Sequence, residues 1–254
     1  MHPTRFFILL ISLILVAPVT QAADADPFMV NFDILSKSFW YISDGWANGD
    51  WQGCEWRASA LETHQGNLFL TLSDHGGKQR PIGCAEVRTN HKPGYGLYEA
   101  RLRAASGSGL NTAFFTYIGP ANGVPHWDEI DFEFLGKDTH AVQVGTYVDG
   151  KAANGATVKL PFDASKEFHN YAIDWQADKI SWYVDGKLVN ETKAGTPIPS
   201  HPGALFLSLW SGGHQEDAWL GAFTYTSPVT AEVSWAAFTP PGMKCQFPES
   251  MSCK

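Results

Sequence analysis

Short strand-like runs separated by turn residues recur along most of this 254-residue chain. Gly96–Ala104 alternates apolar and polar residues, which is typical of a half-buried strand. Lys179–Val184 and Lys187–Glu191 flank Asp185-Gly186, which predicts a hairpin with a type I′ turn. No convincing helix-period stripe occurs, so an all-β sandwich or jelly roll is predicted. Further strands are predicted at Leu68–Leu72, Thr112–Tyr117, Glu129–Leu135, Ala141–Tyr147, His169–Trp175 and Leu205–Trp210.

The first 22 residues are predicted to be a secretion signal. Arg5 precedes the apolar run Phe6–Val16, and Thr20-Gln21-Ala22 offers small residues for cleavage. The run is short for a membrane span, which needs about 20 residues, although an N-terminal anchor is the alternative. Residues 23–254 carry no linker or repeat in the middle, so one domain is expected, with a short cysteine-containing tail from about residue 240.

The charge balance argues against a nucleic-acid partner. The chain has 18 basic and 26 acidic residues, a net charge of −8, and no cluster of lysine or arginine. Tryptophan is abundant, with ten residues. Some belong in a core, but flat amphipathic rings in an open cleft are also suited to stacking on sugars.

The four cysteines, Cys54, Cys84, Cys245 and Cys253, predict two disulfides. Three connectivities are open, and local spacing favours Cys54–Cys84 with Cys245–Cys253. A zinc site is the rival interpretation, but no Cys-x-x-Cys or paired histidine motif supports it, and no metal ligands are predicted.

Three acids alternate along one predicted strand. Glu129, Asp131 and Glu133 should point to one face while Ile130 and Phe132 point into a core. Clustered carboxylates shift one another's pKa values. Glycoside hydrolysis uses such a cluster, a metal site is a second explanation, and a solvated acidic face is a third.

Spacing alone leaves these three explanations open. The Cα atoms of Glu129 and Glu133 should lie about 13 Å apart at about 3.3 Å per residue. Retaining glycosidases hold their carboxyl groups about 5–5.5 Å apart, a gap that two long side chains leaning together can close. Asp131 is shorter and better placed to hydrogen-bond a neighbour.

The segment Trp127–Gly136 resembles the active-site signature of glycoside hydrolase family 16, which includes licheninases, laminarinases, agarases and xyloglucan transglycosylases. The resemblance, mainly to bacterial licheninases, runs from about Phe28 to Phe238. The tail Lys244–Cys253 resembles a narrower group, the rhizobial glycanases that trim the exopolysaccharide succinoglycan. Further matching segments are Asp44–Gly49, Tyr95–Arg101, Phe114–Pro120, Asp174-Trp175, Trp182–Gly186 and Leu209-Trp210.

This resemblance implies a curved antiparallel jelly roll with a concave substrate cleft. It also implies that Glu129 is the nucleophile, Glu133 the general acid/base, and Asp131 the residue that modulates the nucleophile. Cleavage with retention of configuration would follow. The substrate-binding residues that the family pattern implies are Trp46, Asn48, Glu86, Arg88, Phe115, Tyr117, Trp127, Tyr147 and Trp210.

Three positions depart from the licheninase pattern. Gly145 and Ser208 stand where licheninases carry asparagines, which leaves room for a decorated polymer as substrate. Ser234, before Trp235, stands where many bacterial members carry an aspartate ligand of a structural calcium ion. We therefore expect calcium binding to be weak or absent, and no cofactor is predicted.

The signal and the resemblance together favour a secreted bacterial endo-β-glycanase, periplasmic or extracellular, that acts on a β-linked polysaccharide, with a monomer as the default expectation. The polysaccharide would be a β-1,3/1,4-linked glucan or a succinoglycan-like exopolysaccharide. A transglycosylase is the alternative within enzymes. A non-catalytic glycan-binding protein is the alternative outside them, although such a protein would be expected to lose the two glutamates.

Overall fold

A computed structural model describes residues 26–254, so the predicted signal at residues 1–22 lies outside the described residues. No helix in the described part is long and apolar enough to cross a membrane. One short helix, α1 (Asp217–Leu220), and four 3₁₀ turns accompany the strands. The strands are β1 (Phe28–Asn31), β2 (Trp40–Ile42), β3 (Glu55–Trp56), β4 (Leu61–His64), β5 (Asn67–Leu72), β6 (Gly83–Thr89), β7 (Gly96–Arg103), β8 (Leu110–Ile118), β9 (Asp128–Leu135), β10 (Ala141–Val148), β11 (Lys151–Lys159), β12 (His169–Trp175), β13 (Ile180–Val184), β14 (Lys187–Glu191), β15 (Ala204–Ser211) and β16 (Val229–Thr239).

The strands form two sheets that pack face to face, which confirms the predicted β-sandwich. The outer sheet has the order β14-β13-β12-β7-β16-β5-β4, with β1 paired to β16. The cleft sheet has the order β11-β10-β9-β8-β15-β6-β2. Pairing within both sheets is antiparallel, and the two-residue β3 adds a parallel pair beside β6.

Two tight turns close hairpins, and the one at Asp185-Gly186 is predicted from the sequence. Asp185 and Gly186 have φ values of 49° and 75°, and Asp149 and Gly150 have 48° and 74°. A type I′ turn requires positive φ at both central positions, which aspartate tolerates and glycine adopts freely. The turn Asp149-Gly150 joins β10 to β11 and lies at one end of the cleft sheet.

The strand that carries the acids is anchored from behind by the core. Phe132 and Phe134 are buried and meet the ring of Tyr171 on β12 edge-on, with centroids 5.5 and 4.7 Å apart. The indole Nε1 of Trp182 on β13 donates to the backbone carbonyl of Asp131 at 3.0 Å. The outer sheet therefore fixes the position of β9 and of the side chains on its opposite face.

Both disulfides pair as predicted, Cys54 with Cys84 and Cys245 with Cys253. The second lies in the tail, which packs on the solvent side of β7. Ser250 Oγ donates to one carboxylate oxygen of Glu99 at 2.6 Å. The tail leaves Glu99 only 2% exposed, so it covers a part of the outer sheet that would otherwise meet water.

Candidate active site

Strand register brings the acids of β9 to the same surface as side chains from neighbouring strands. Glu129 lies opposite Tyr117 on β8 and Tyr147 on β10. Glu133 lies opposite Ala113 on β8. Residues directly opposite each other on antiparallel strands point to the same face. Each glutamate therefore has its own row of cross-strand neighbours.

The middle row contains the third acid. Asp131 lies opposite Phe115 on β8 and Gly145 on β10. The same row continues from Phe115 to Phe206 on β15 and then to Arg88 on β6. The acids thus lie on the floor of a surface that spans at least five strands.

A cleft of about 590 Å³ lies over this surface. All twelve residues that the sequence assigns to catalysis or binding line it, whichever strand or loop carries them. They are Trp46, Asn48, Glu86, Arg88, Phe115, Tyr117, Trp127, Glu129, Asp131, Glu133, Tyr147 and Trp210.

Glu129 is held by two donors. Trp127 Nε1 donates to its Oε2 at 2.7 Å, and Asp131 also hydrogen-bonds it. Burial raises the pKa of Glu129 to about 7, and these two hydrogen bonds counteract that rise. The donors therefore favour the ionised form of a carboxyl that burial alone would keep protonated.

Asp131 has its pKa raised well above the ordinary range. Burial is the main cause, followed by the negative charges of Glu129 and Glu133. A protonated Asp131 can donate its proton in the hydrogen bond to Glu129. This arrangement leaves the negative charge on the glutamate.

Glu133 has a different environment. Asn111 Nδ2 on β8 donates to its Oε1 at 3.0 Å. Burial and the charge of Glu129 raise the pKa of Glu133 to about 7, against the lowering effect of Asn111. A carboxyl of this kind can hold a proton close to neutral pH.

A fourth carboxyl and a cation face the same cleft from β6. Glu86 is buried, and Ser43 Oγ donates to its Oε1 at 2.6 Å. Burial raises the pKa of Glu86 to about 7. Arg88 is the one lysine or arginine among the lining residues, and its guanidinium lies over the ring of Tyr41 at 4.3 Å. Both side chains can hydrogen-bond a polar ligand.

Aromatic rings supply much of the remaining surface. Trp127 is 38% exposed and stacks on Tyr147, with centroids 5.6 Å apart. Trp210 is only 8% exposed and meets Trp51 edge-on at 5.1 Å. Trp127 therefore presents more open surface than Trp210, whose ring is almost fully buried.

The cleft continues past the acids into a second depression of about 390 Å³. Gly145 lines it, and a Cβ atom added there would lie 3.5 Å from the carbonyl oxygen of Asn154 and 3.7 Å from Asp131 Oδ2. Ser208 lies in the main cleft. These two of the three departures from the licheninase pattern therefore line the cleft and its extension.

The metal explanation for the acids has no geometric support. In residues 26–254, His126, Asp149 and His201 are the one group of three or more potential ligands whose ligand atoms converge. Glu129, Asp131 and Glu133 do not form such a group.

Several residues that line the cleft or contact its acids are not predicted from the sequence. Tyr41 lies on β2 and Ser43 directly follows that strand, a spacing of two that could have suggested one shared face. The sequence around Asn111 and Trp219 carries no pattern that would place them at the cleft. Trp219 Nε1 donates to Gln143 Oε1 at 2.8 Å, a contact made across 76 positions of the chain.

The family profile of glycosyl hydrolases family 16 matches residues 48–236. The endo-1,3-1,4-β-glycanase ExoK of Rhizobium meliloti is 44% identical over 227 residues, which cover 89% of this chain and 84% of that protein. The β-glucanase of Bacillus subtilis is 39% identical over 232 residues, which cover 91% and 93%. A β-1,3-1,4-glucanase structure from a mouse hindgut metagenome superimposes with a TM-score of 0.80 at 42% identity, over 84% of this chain and 99% of that one. With its acid strand, its cleft and its two-sheet sandwich, this chain belongs to glycoside hydrolase family 16 and is a hydrolase of glycosidic bonds.

Proposed function

We propose that this hydrolase is a retaining endo-β-glycanase that cuts a β-1,3/1,4-linked glucan or a succinoglycan-like exopolysaccharide. The observation that carries the proposal is the row of three carboxyls, Glu129, Asp131 and Glu133, on the floor of an open cleft lined with aromatic rings. Retaining hydrolysis needs one ionised and one protonated carboxyl on the same site. The names of the relatives support the substrate class.

In this mechanism Glu129 attacks the anomeric carbon while Glu133 protonates the departing glycosidic oxygen. A covalent glycosyl-enzyme forms on Glu129, and Glu133 then acts as base toward the water that releases it. The proton on Asp131 supports the charge of Glu129 before attack. The hydrogen bonds from Trp127 and Asn111 support the separate roles of the two glutamates.

The remaining cleft residues would bind the sugar chain. Trp46, Trp127 and Tyr147 offer ring faces or edges, while Asn48, Glu86 and Arg88 offer polar groups for hydroxyls. We assign the same role to Phe115, Tyr117 and Trp210. A cleft open along the sheet suits attack within a long polymer rather than at its end.

The indole N–H of Trp127 should tune the pH dependence. In Trp127→Phe the donor to Glu129 is lost, so the pKa of Glu129 should rise. The nucleophile must be ionised, and activity is lost as pH falls through its pKa. The acidic limb of the kcat/KM profile should therefore move to higher pH by about one unit, since a hydrogen bond to a charged group is worth about 1.5 kcal/mol or more.

Trp219→Phe is the matched control for this profile. Trp219 lines the same cleft, but its N–H contacts Gln143 rather than an acid. An unchanged acidic limb in Trp127→Phe, or an equal movement in both variants, would refute the assignment of Trp127.

Substrate choice should depend on Gly145 and Ser208. The unmodified enzyme should cut a decorated bacterial β-glucan such as succinoglycan better than unbranched lichenan. A hydrogen bond to a neutral group is worth about 0.5–1.5 kcal/mol, so two missing amides cost about one to two factors of ten in kcat/KM on lichenan. The double variant Gly145→Asn with Ser208→Asn should move preference toward lichenan by that amount.

Gly155→Asn is the control, because Gly155 lines the same depression and lies opposite Gly145 on β11. It should leave the preference unchanged. A native enzyme that already prefers lichenan in kcat/KM would show that these positions do not control substrate choice, while leaving the carboxylate mechanism standing.

The overall proposal is tested by a panel of succinoglycan, lichenan and laminarin, with reducing-end release measured on each. Early products of intermediate length would support endo action. Added oligosaccharide acceptors that lengthen the products would instead favour a transglycosylase.

We further propose that residues 1–22 direct secretion and that residues 23–254 form one monomeric catalytic domain. The mature chain would act outside the cytoplasm of a bacterium, in the periplasm or beyond the cell. Mass spectrometry of the secreted protein would show a mature chain beginning near residue 23. Retention of the first 22 residues would contradict this assignment.

A further inference from the structure

The rim of the cleft carries two histidines and an aspartate from three separate segments. His126 lies two residues before the acid strand, Asp149 lies in the turn between β10 and β11, and His201 lies just before β15. One potential ligand atom from each residue lies within 4.8 Å of the other two. The imidazole rings of His126 and His201 stack, with centroids 4.0 Å apart.

His201 is oriented by a buried carboxylate. Asp128 Oδ2 accepts from His201 Nδ1 at 2.8 Å and also from the backbone N–H of His201 at 3.1 Å. With Nδ1 protonated for this bond, the lone pair of the ring is on Nε2. A histidine that donates one ring N–H to a carboxylate and offers the other nitrogen is the arrangement that holds histidine ligands on metals.

Asp128 also organises the aspartate. Its Oδ1 accepts from the backbone N–H of Asp149 at 3.1 Å, and the Asp149 carboxylate lies 3.3 Å from His126 Nδ1. One buried side chain thus connects the turn that carries Asp149 with the loop that carries His201. The three outer side chains remain open to solvent, with exposed fractions of 50% for His126, 66% for Asp149 and 38% for His201.

We propose that His126, Asp149 and His201 bind a divalent transition-metal cation of the zinc class. Imidazole nitrogen and carboxylate oxygen are the donors that Zn²⁺ takes, and a solvent-exposed position remains for a fourth, water ligand. A tetrahedral site with bonds of about 2.0–2.1 Å needs ligand atoms about 3.3 Å apart. Rotation of the exposed His126 and Asp149 side chains toward His201 Nε2, which unstacks the two imidazole rings, supplies that closure.

The site would stabilise the part of the rim that holds Trp127. His126 adjoins Trp127, and the backbone N–H of Gly150 donates to the Trp127 carbonyl at 2.8 Å. A cation between His126, Asp149 and His201 would join these segments from outside. The ion takes no part in bond cleavage, and its binding is measured without substrate, so the result is independent of the proposed activity.

The test is calorimetric titration of the full mature chain with zinc chloride, with magnesium and calcium chloride as comparisons. The expected result is one saturable Zn²⁺ site and no binding of the two hard cations, which prefer oxygen ligands. His126→Gln and Asp149→Asn should each weaken Zn²⁺ binding by at least about tenfold. Asparagine tolerates the positive φ at position 149, so that variant should fold.

His75→Gln is the matched control, because His75 lies beside Asp74 at 3.6 Å on an exposed surface where no second histidine joins them. It should bind Zn²⁺ as the native chain does. At a Zn²⁺ concentration about 100 times the dissociation constant, the melting temperature of the native chain should rise by about 5 °C or more, and that rise should disappear in His126→Gln. No saturable binding to the native chain, or unchanged affinity in both site variants, would overturn the proposal.

Discussion

Replacing Glu129 with glutamine is expected to reduce kcat on every glycan substrate by at least about 10⁴-fold, since removing the nucleophile of a covalent mechanism removes the route itself. The amide is nearly isosteric with the carboxyl, so the cleft should keep its shape. At pH 8 the free energy of unfolding of Glu129→Gln should equal or exceed that of the native chain. Burial raises the pKa of Glu129 to about 7, so the native state loses stability as pH rises through that value and the buried carboxyl ionises. The amide of glutamine does not ionise and avoids this loss.

Glu133→Gln separates the two glutamate roles. Without its general acid the enzyme should lose activity on polysaccharide but still attack aryl glycosides whose leaving group needs no proton. Glu129→Gln should lose both activities. Sodium azide should restore turnover to a Glu129→Ala variant and give an α-glycosyl azide. Substantial native-like turnover by Glu129→Gln, with its fold intact, would contradict the assigned nucleophile.

Removing the disulfide Cys54–Cys84 should lower the free energy of unfolding more than removing the tail disulfide does. The two cysteines are fully buried and lie 30 positions apart in the sequence. The constraint on the unfolded chain predicts a loss of about 4 kcal/mol for a loop of this length, or a fall in melting temperature of about 8–15 °C. Thermal unfolding of the double variant Cys54→Ala with Cys84→Ala measures it.

The tail disulfide is the matched comparison. Cys245 and Cys253 lie eight positions apart, so the same entropy argument predicts a loss of about 2.5 kcal/mol. The tail should also loosen its contact with Glu99, which Ser250 and Met251 now hold. A larger loss from the tail pair than from Cys54–Cys84 would show that docking of the tail, rather than loop length, dominates.

The sequence predicts strands well where one face is buried. In β7 and β9, alternate residues enter the core, so the period of two is visible in the residues themselves. It fails for β11, an edge strand that reads Lys-Ala-Ala-Asn-Gly-Ala-Thr-Val-Lys and has no regular apolar face. That strand exists because β10 pairs with it, which is a tertiary effect.

The acid triad was predictable because its members share one strand. Their supports were not, since strand register decides which neighbours meet them. Asn111 reaches Glu133 from β8, and Trp182 reaches the carbonyl of Asp131 from the opposite sheet. Sequence spacing likewise cannot predict the pairing of His126 with His201, which lie 75 positions apart along the chain. They become neighbours only when the rim loops fold together.

The stereochemistry of the first product shows directly whether Glu129 is the nucleophile. Proton NMR of a fresh digest, recorded on whichever β-glycan of the panel is cut and before mutarotation equilibrates the ends, distinguishes the two anomers of the newly released reducing sugar. Attack by Glu129 followed by attack of water inverts the anomeric carbon twice, so the β-anomer should appear first. An α-anomer appearing first would mean a single displacement by water and would contradict the role of Glu129 as nucleophile.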